Sequence, residues 1–390
     1  MNVVYLGCNG FPYGFAQVQK QMMISKALLA QGAHVTVINY KGVHSKQKGI
    51  NLKYKGMMDG VKYYYSSFTP FRSENFISRN LSKLLGNILE FCFIVYSRKT
   101  NHKNIAIITT NNLSRLRYYY YVLKILKFKV VLSYEEYWQS TTQNEQIKPE
   151  LINFDLLANT YCDAILPISV FLANYQKGIN NKLPSFRLPS LTDFDIIDAI
   201  QIKEAKQQRL LFCGASAYVE TITFILESFE KIQKNELELF LIIHGDANQN
   251  KIVSDMVDKM KEKNKKIKIF TELPFDELIK YYKTSQLLLI PLKPLERDIA
   301  RFPHKISEYV ASKTAIVTNS VGEINSFFIN HKNAFIANGY DVASYANEIE
   351  FALNNQILME QVAENAYLLG RANFHYKAIS EGLISFLSRI

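Results

Sequence analysis

Short apolar runs alternate with amphipathic stretches along most of the chain. Residues 3–7 (VVYLG) are apolar throughout, residues 17–32 carry helical periodicity and close on Gly32, and residues 33–40 are apolar again. Uninterrupted apolar strands belong to parallel sheets covered on both faces, so this opening reads as a β–loop–α–β unit. A hairpin is predicted around Gly56 and Gly60, ahead of VKYYYSS. Further strands are predicted at 105–110, 130–135 and 164–169, with helices between them. A second alternation begins at RLLFCGAS (209–216) and continues through residue 320. Between the two series, around 188–208, the periodicity lapses. Two successive α/β series predict two Rossmann-like domains facing across a cleft. They are residues 1–190 and 209–390, joined by a linker at 191–208, with the amphipathic last helix packing on either domain. Open parallel sheets bind ligands beyond the carboxyl ends of their strands, which directs attention to the loops near Gly10, Gly214, Gly245 and Pro291.

Composition narrows the class. A chain of 390 residues suits two domains, and 48% hydrophobic against 21% charged residues supplies enough core to exclude a disordered protein. Cys8, Cys92, Cys162 and Cys213 form no C-x-x-C pair, which favours a reduced compartment over disulfides or zinc. The first residues lack a basic segment before the apolar run, and no uncharged apolar stretch of about 18 residues occurs. The expectation is a cytoplasmic protein, with peripheral membrane contact open. The charge is lopsided: residues 1–190 hold 23 Lys and Arg against 9 Asp and Glu, while residues 191–390 hold 23 against 26. Anionic lipid, nucleic acid or an acidic substrate would each account for the basic half. The bases are scattered and no recognition motif is present, so no nucleic-acid partner is expected. Neither G-x-G-x-x-G nor a P-loop occurs, so no dinucleotide or other cofactor is expected. No Asp-x-Asp pair stands at a strand end of the second half; Asp193 and Asp195 fall in the linker, and no metal site is expected.

The segment 296–323 carries the most chemistry. Arg301, His304, Lys305 and Glu308 fall before or within the first turns of a predicted helix, whose free N–H groups and dipole favour phosphate. Lys305 adds a mobile cation, and Glu308, one turn on, can accept hydrogen bonds from a ribose diol. A strand over 315–320 and a tight turn at 321–323 follow.

R-F-P-H-K-I-S-E-Y (301–309) and V-G-E (321–323) resemble the C-terminal pattern of the retaining glycosyltransferases of family 4, within the wider GT-B superfamily. The order of weaker features along the chain is similar too: the Gly10–Gly14 loop, CDAILPISVFLANY (162–175), LELFLIIHGDA, and FTELPFDELIKYYKTSQLLLIPL. The resemblance implies a GT-B fold and a nucleotide diphosphosugar donor, UDP- or GDP-linked, held by the C-terminal domain. Glu308 would hold the ribose. Arg301, Lys305 and the backbone near Gly322 would face the diphosphate or sugar, with Gly214, Gly245 and Glu323 in the same donor site. Gly10, Tyr13 and Gly14 would form an acceptor-side loop. A Glu-x7-Glu pair would require an acid at 300, where the chain has Ala300; Glu296 and Asp298 are the nearby substitutes. No base follows the first C-terminal strand in GASAYVETI. The histidine found near the fourth N-terminal strand in many members is replaced by SYEEYW (133–138), which leaves Glu135, Glu136 and His304 as candidate catalytic groups. Adjacent side chains alternate faces along a strand, so at most one of the two glutamates enters the cleft.

The expected function is metal-independent, retaining transfer of a sugar to a glycan or lipid-linked acceptor in cell-surface polysaccharide assembly. A non-catalytic sugar-nucleotide-binding partner and a sugar-nucleotide epimerase of the same fold are the alternatives. The basic–aromatic segment LSRLRYYYYVLKILKFK (113–129) is the expected contact with an anionic membrane, against the bland reading of a core helix. The tyrosine runs at 63–65 and 118–121 read as packed sheet and helix residues.

Overall fold

The computed structural model describes residues 1–14, 16–46, 51–140, 148–263 and 265–390. The chain forms two compact units, Met1–Leu191 with Tyr376–Ile390, and Thr192–His375.

The first unit runs β1 (Asn2–Leu6), α1 (Ala16–Ala30), β2 (His34–Asn39), β3 (Lys55–Met58), β4 (Val61–Tyr65) and α2 (Phe76–Ser97). It continues with β5 (Asn104–Ile108), α3 (Leu113–Ile125), β6 (Lys129–Tyr134), α4 (Pro149–Leu157), β7 (Ala164–Pro167) and α5 (Val170–Ile179). The strands form one sheet in the order β3-β4-β2-β1-β5-β6-β7. Every pairing is parallel except the β3–β4 hairpin. β1, β5 and β6 are apolar along nearly their whole length because helices cover both faces. The closing helix of the chain, Tyr376–Arg389, belongs to this unit. Its Leu383 and Leu387 are buried with Val3, Ile24, Leu28 and Val37, and Gln31 donates to the Ser380 hydroxyl at 2.9 Å.

α2 starts where Asn75 accepts the N–H groups of Ile77 and Ser78, and α3 where Asn112 accepts that of Arg115. Of the 22 residues of α2, only Gly86, Glu90 and Ile94 are buried. Glu90 accepts from Arg115 Nη2 at 2.6 Å and from the Tyr119 hydroxyl at 2.8 Å, fastening α2 to α3. α3 in turn buries Leu116, Tyr119 and Leu123 within the unit.

The second unit begins with α6 (Phe194–Ala199), in the stretch expected as a linker. Asp193 caps it, and Phe194 is buried against Tyr367 and His375. Then follow β8 (Arg209–Ala215), α7 (Val219–Lys231), β9 (Glu238–His244), α8 (Ala247–Lys261), β10 (Lys266–Phe270), α9 (Phe275–Thr284) and β11 (Leu287–Leu289). α10 (Glu296–Ala300), α11 (His304–Ala311), β12 (Ala315–Asn319), α12 (Ile324–Phe327), β13 (Phe335–Ala337), α13 (Val342–Asn354) and α14 (Gln356–Asn373) complete it. The all-parallel sheet has the order β10-β9-β8-β11-β12-β13. The unit's two ends lie side by side: Thr192 N–H donates to the Phe374 carbonyl at 2.9 Å, and Thr192 pairs with His375 as an isolated bridge.

Each sheet has one place where the order reverses, between β1 and β5 in the first unit and between β8 and β11 in the second. Loops leaving neighbouring strands diverge there and open a crevice beyond the carboxyl ends, which is where such sheets bind ligands.

Candidate functional site

In the second unit the reversal point is flanked by the β8–α7 loop and by α10 and α11 after β11. α11 buries Ile306, Tyr309 and Val310, an i, i+3, i+4 set that fixes its rotation. The Tyr309 hydroxyl accepts the Cys213 N–H at 2.8 Å, which seats α11 over the end of β8. Lys305 and Glu308, three apart, then share a face and pair at 2.9 Å, with the Tyr282 hydroxyl 3.5 Å from the same Oε2. Burial opposes the Lys305 charge, but Glu308 and the Cys213 sulfur outweigh it and raise its pKa. Burial likewise opposes the Glu308 charge, yet Lys305 and His304 hold its pKa below the ordinary range. Both groups are therefore ionised at neutral pH. His244, ending β9, has its pKa lowered first by burial and then by the Lys305 charge, against a hydrogen bond to the Gly214 backbone. It is neutral at pH 7.

Arg301 directly follows α10, three residues before α11 begins. It donates to the Tyr218 hydroxyl at 2.9 Å, and its guanidinium stands 4.9 Å from that ring's centre. Asp298, 1% exposed, fixes it from the other side at 2.7 Å, holds Arg297 at 2.9 Å and accepts the Lys293 N–H at 2.9 Å. Ala300 is fully buried, and of the two nearby substitutes Asp298 is committed to its arginines. Gly322 has φ +53°, and a Cβ there would stand 2.7 Å from the Ile299 carbonyl, so the turn after β12 needs glycine to lie against α10. Glu323 beside it is buried. Gly245 packs over Ser216, whose N–H donates to the His244 carbonyl at 2.9 Å. The structure thus brings Gly214, Gly245, Arg301, His304, Lys305 and Glu308 to the loops at the β8/β11 end of one sheet, with Gly322 and Glu323 behind α10.

In the first unit, Gly10 is buried at φ +110°. The Asn39 side chain accepts its N–H and that of Phe11 at 2.9 and 3.2 Å, and His44 lies 3.0 Å from its carbonyl. Gly10 shapes the loop, while Tyr13 and Gly14 are exposed. Glu135, past the end of β6, sits 3.4 Å from Lys20 and accepts the Ser133 hydroxyl at 2.9 Å. Lys20 has its pKa lowered by burial, against the raising charges of Glu135 and, more weakly, Glu136. Among the described residues, no group of three His, Cys, Asp or Glu could hold a metal ion.

Tyr218, Tyr282 and Lys20 join these clusters without having been read from the sequence, and Tyr309, quoted within the 301–309 motif, gains its contact with Cys213 only in the fold. Tyr218 and Tyr309 contact partners more than 80 residues away, and tyrosines in apolar runs carry no signal that separates them from core.

The family model of glycosyl transferases group 1 matches residues 193–369, nearly the whole second unit. Solved structures resemble the full chain. Sucrose-phosphate synthase from Thermosynechococcus elongatus is 15% identical with a TM-score of 0.76, covering 100% of this chain and 99% of the other. HepE from Anabaena in complex with UDP is 14% identical at 0.67, covering 100% of both. Trehalose-6-phosphate synthase from E. coli bound with UDP-2-fluoro glucose is 12% identical at 0.70, covering 100% and 99%. No curated protein matches the sequence.

Proposed function

We propose that this chain, a GT-B glycosyltransferase whose second unit matches glycosyl transferases group 1, moves a sugar from a uridine diphosphosugar to a glycan or lipid-linked acceptor. The observation that carries the reading is the pair of half-buried Lys305 and buried Glu308 on α11, beside the Asp298-clamped Arg301, at the sheet's reversal point. Lys305 and Tyr282 both address Oε2 of Glu308, so Oε1 is the oxygen offered to the ribose diol. Arg301 and Lys305, with the free N–H groups of the first turn of α7, receive the diphosphate. UDP is favoured over GDP because HepE and the E. coli synthase are described with uridine nucleotides.

As the C1–O bond to the diphosphate breaks, negative charge grows on the leaving phosphate, and the two fixed cations stabilise it without a bridging metal. Glu308 is engaged by Lys305, and Asp298 by two arginines, so neither serves as a nucleophile toward C1. Together with the family 4 resemblance this supports retention. The acceptor oxygen bonds C1 on the face the diphosphate leaves, and its proton passes to a phosphate oxygen. In the first unit, Tyr13 and Gly14 meet the acceptor, Gly10 shapes their loop, and Glu135, charge-balanced by Lys20, is a polar contact. Glu136 and His304 stand behind it as the remaining candidates, and Gly214, Gly245, Gly322 and Glu323 form the walls of the donor site. Assembly of cell-surface polysaccharide is the setting this chemistry suits.

Titration calorimetry with a UDP-sugar tests the site. Glu308→Ala, folded by circular dichroism, should bind roughly 10- to 100-fold more weakly, the loss of a charged hydrogen bond of about 1.5–3 kcal/mol. Unchanged affinity would remove the assignment. Acceptor-dependent UDP release separates transfer from epimerisation and from binding without turnover. Turnover should survive EDTA, and NMR of the first product should show the donor's anomeric configuration; an inverted anomer or a metal requirement would sink the mechanism.

A further inference from the structure

The exposed face of α2 is apolar along the full length of the helix. Ile77, Leu81, Leu84, Ile88, Phe91 and Val95 recur at alternating steps of four and three, and each is 43–75% exposed. A side of a 22-residue helix this rich in large apolar groups is not what an ordinary water-facing surface presents. The flanking charges have one predominant sign. Arg72, Arg79 and Lys83 accompany the first half of the helix and Lys99 follows its end. Glu74 is an exposed acid beside them, whereas Glu90 is buried against Arg115. On the flank of the stripe Tyr96, 75% exposed, stands 6.3 Å from the Tyr64 ring of β4, which also packs 5.2 Å from Phe93 on the side of α2 turned to the sheet. Tyr64 also lines an open hollow of about 680 Å³ together with Lys53, Lys55 and Lys62.

We propose that α2 and this lysine-lined edge form the face by which the protein binds an anionic lipid bilayer, the helix lying in the plane of the headgroups. No described helix is long and apolar enough to cross a membrane, so the contact is one of lying on the surface. Charge decides between this occupant and a second copy of the chain. Steps of four and three also suit a two-helix seam, but a parallel pairing of α2 with itself sets Arg79 and Lys83 against like charges, and an antiparallel one sets them against the partner's apolar second half, whose acid Glu90 is buried against Arg115. An anionic bilayer takes the apolar stripe and the cations together. The segment 113–129, expected to do this from sequence, buries Leu116, Tyr119 and Leu123 in the first unit and leaves Tyr118, Tyr121 and Ile125 exposed, a shorter apolar face than that of α2.

The inference is independent of the transfer reaction, and its test reads vesicle binding alone. The full chain is sedimented with phosphatidylcholine vesicles, with and without phosphatidylglycerol, at low and high salt. Expected is binding to anionic vesicles at low salt that weakens with salt, and little binding to phosphatidylcholine alone. Leu81→Ser/Ile88→Ser, with melting temperature and circular dichroism as controls, should bind on the order of tenfold less or weaker still. Lys55→Glu/Lys62→Glu, away from the helix, should also weaken binding. The proposal is overturned by equal, negligible sedimentation with both vesicles at low salt, or by undiminished binding of the serine variant. It is also overturned if light scattering shows a dimer that the serine variant converts to monomer.

Discussion

Asp298 holds two guanidinium groups and a backbone N–H, so one buried carboxylate sets the direction in which Arg301 presents its charge. Asp298→Asn keeps the shape and removes the charge. Donor binding by calorimetry is expected to weaken about tenfold, and stability in urea to fall by roughly 1–3 kcal/mol as two half-covered arginines lose their counter-charge. Unaltered donor affinity would make Asp298 a purely structural residue. This scale also shows the limit of reading sequence. The Lys305–Glu308 pair is legible because one helical turn brings its members together, with Arg301 in the short loop just ahead of the helix. The clamp from Asp298 is local too, but it reads as one more charge in E-R-D. The contacts of Tyr218 and of Tyr309 were not legible, since their partners lie 83 and 96 residues away and only the folded sheet brings them near.

Among the elements, α2 and α3 meet through a titrating joint. Burial lifts the Glu90 carboxyl to about 7, against the opposing Arg115 charge and Tyr119 hydrogen bond. Between about pH 4.5 and 7 the unfolded chain gives up this proton and the folded one keeps it, so the folded state binds more protons. Stability from this group is therefore present at low pH and lost as pH rises toward about 7. Glu90→Gln keeps an acceptor oxygen for Arg115, lets its amide donate to the Tyr119 hydroxyl oxygen, and removes the titration. Melting temperatures across that range should show the native protein losing ground to the variant as pH rises; parallel curves would refute the joint. The alternation of strands and helices was legible element by element, and the strand expected at 130–135 is found as β6, Lys129–Tyr134. Exposure was not. Apolar residues at helical spacing read as core in any sequence, and only the folded unit shows that α2 turns most of its own outward.

Taken as a whole, the molecule divides its chain unevenly: one unit is continuous and the other is built from both ends. The closing helix puts Leu383 and Leu387 into the core around β1 and α1, and the Lys103 amine donates to the Ser388 carbonyl at 2.7 Å. A chain stopped after His375 loses that packing, at about 1.5–3 kcal/mol for each buried leucine. Hydrogen exchange should then show β1, α1 and β2 unprotected while β8, β9 and β12 keep their protection. Retained protection in the first unit would mean its sheet is sufficient alone.

The bridge between Thr192 and His375 has a further consequence for how the protein is made. A unit whose two ends touch is, topologically, a loop threaded into the other, and a ribosome delivers it complete while its host still lacks its last helix. Chains usually finish their domains in the order in which they are translated. Here the order inverts. The unit begun first is finished last, and until residues 376–390 leave the exit tunnel the newborn chain holds a closed second unit while the first still lacks the helix packed against α1.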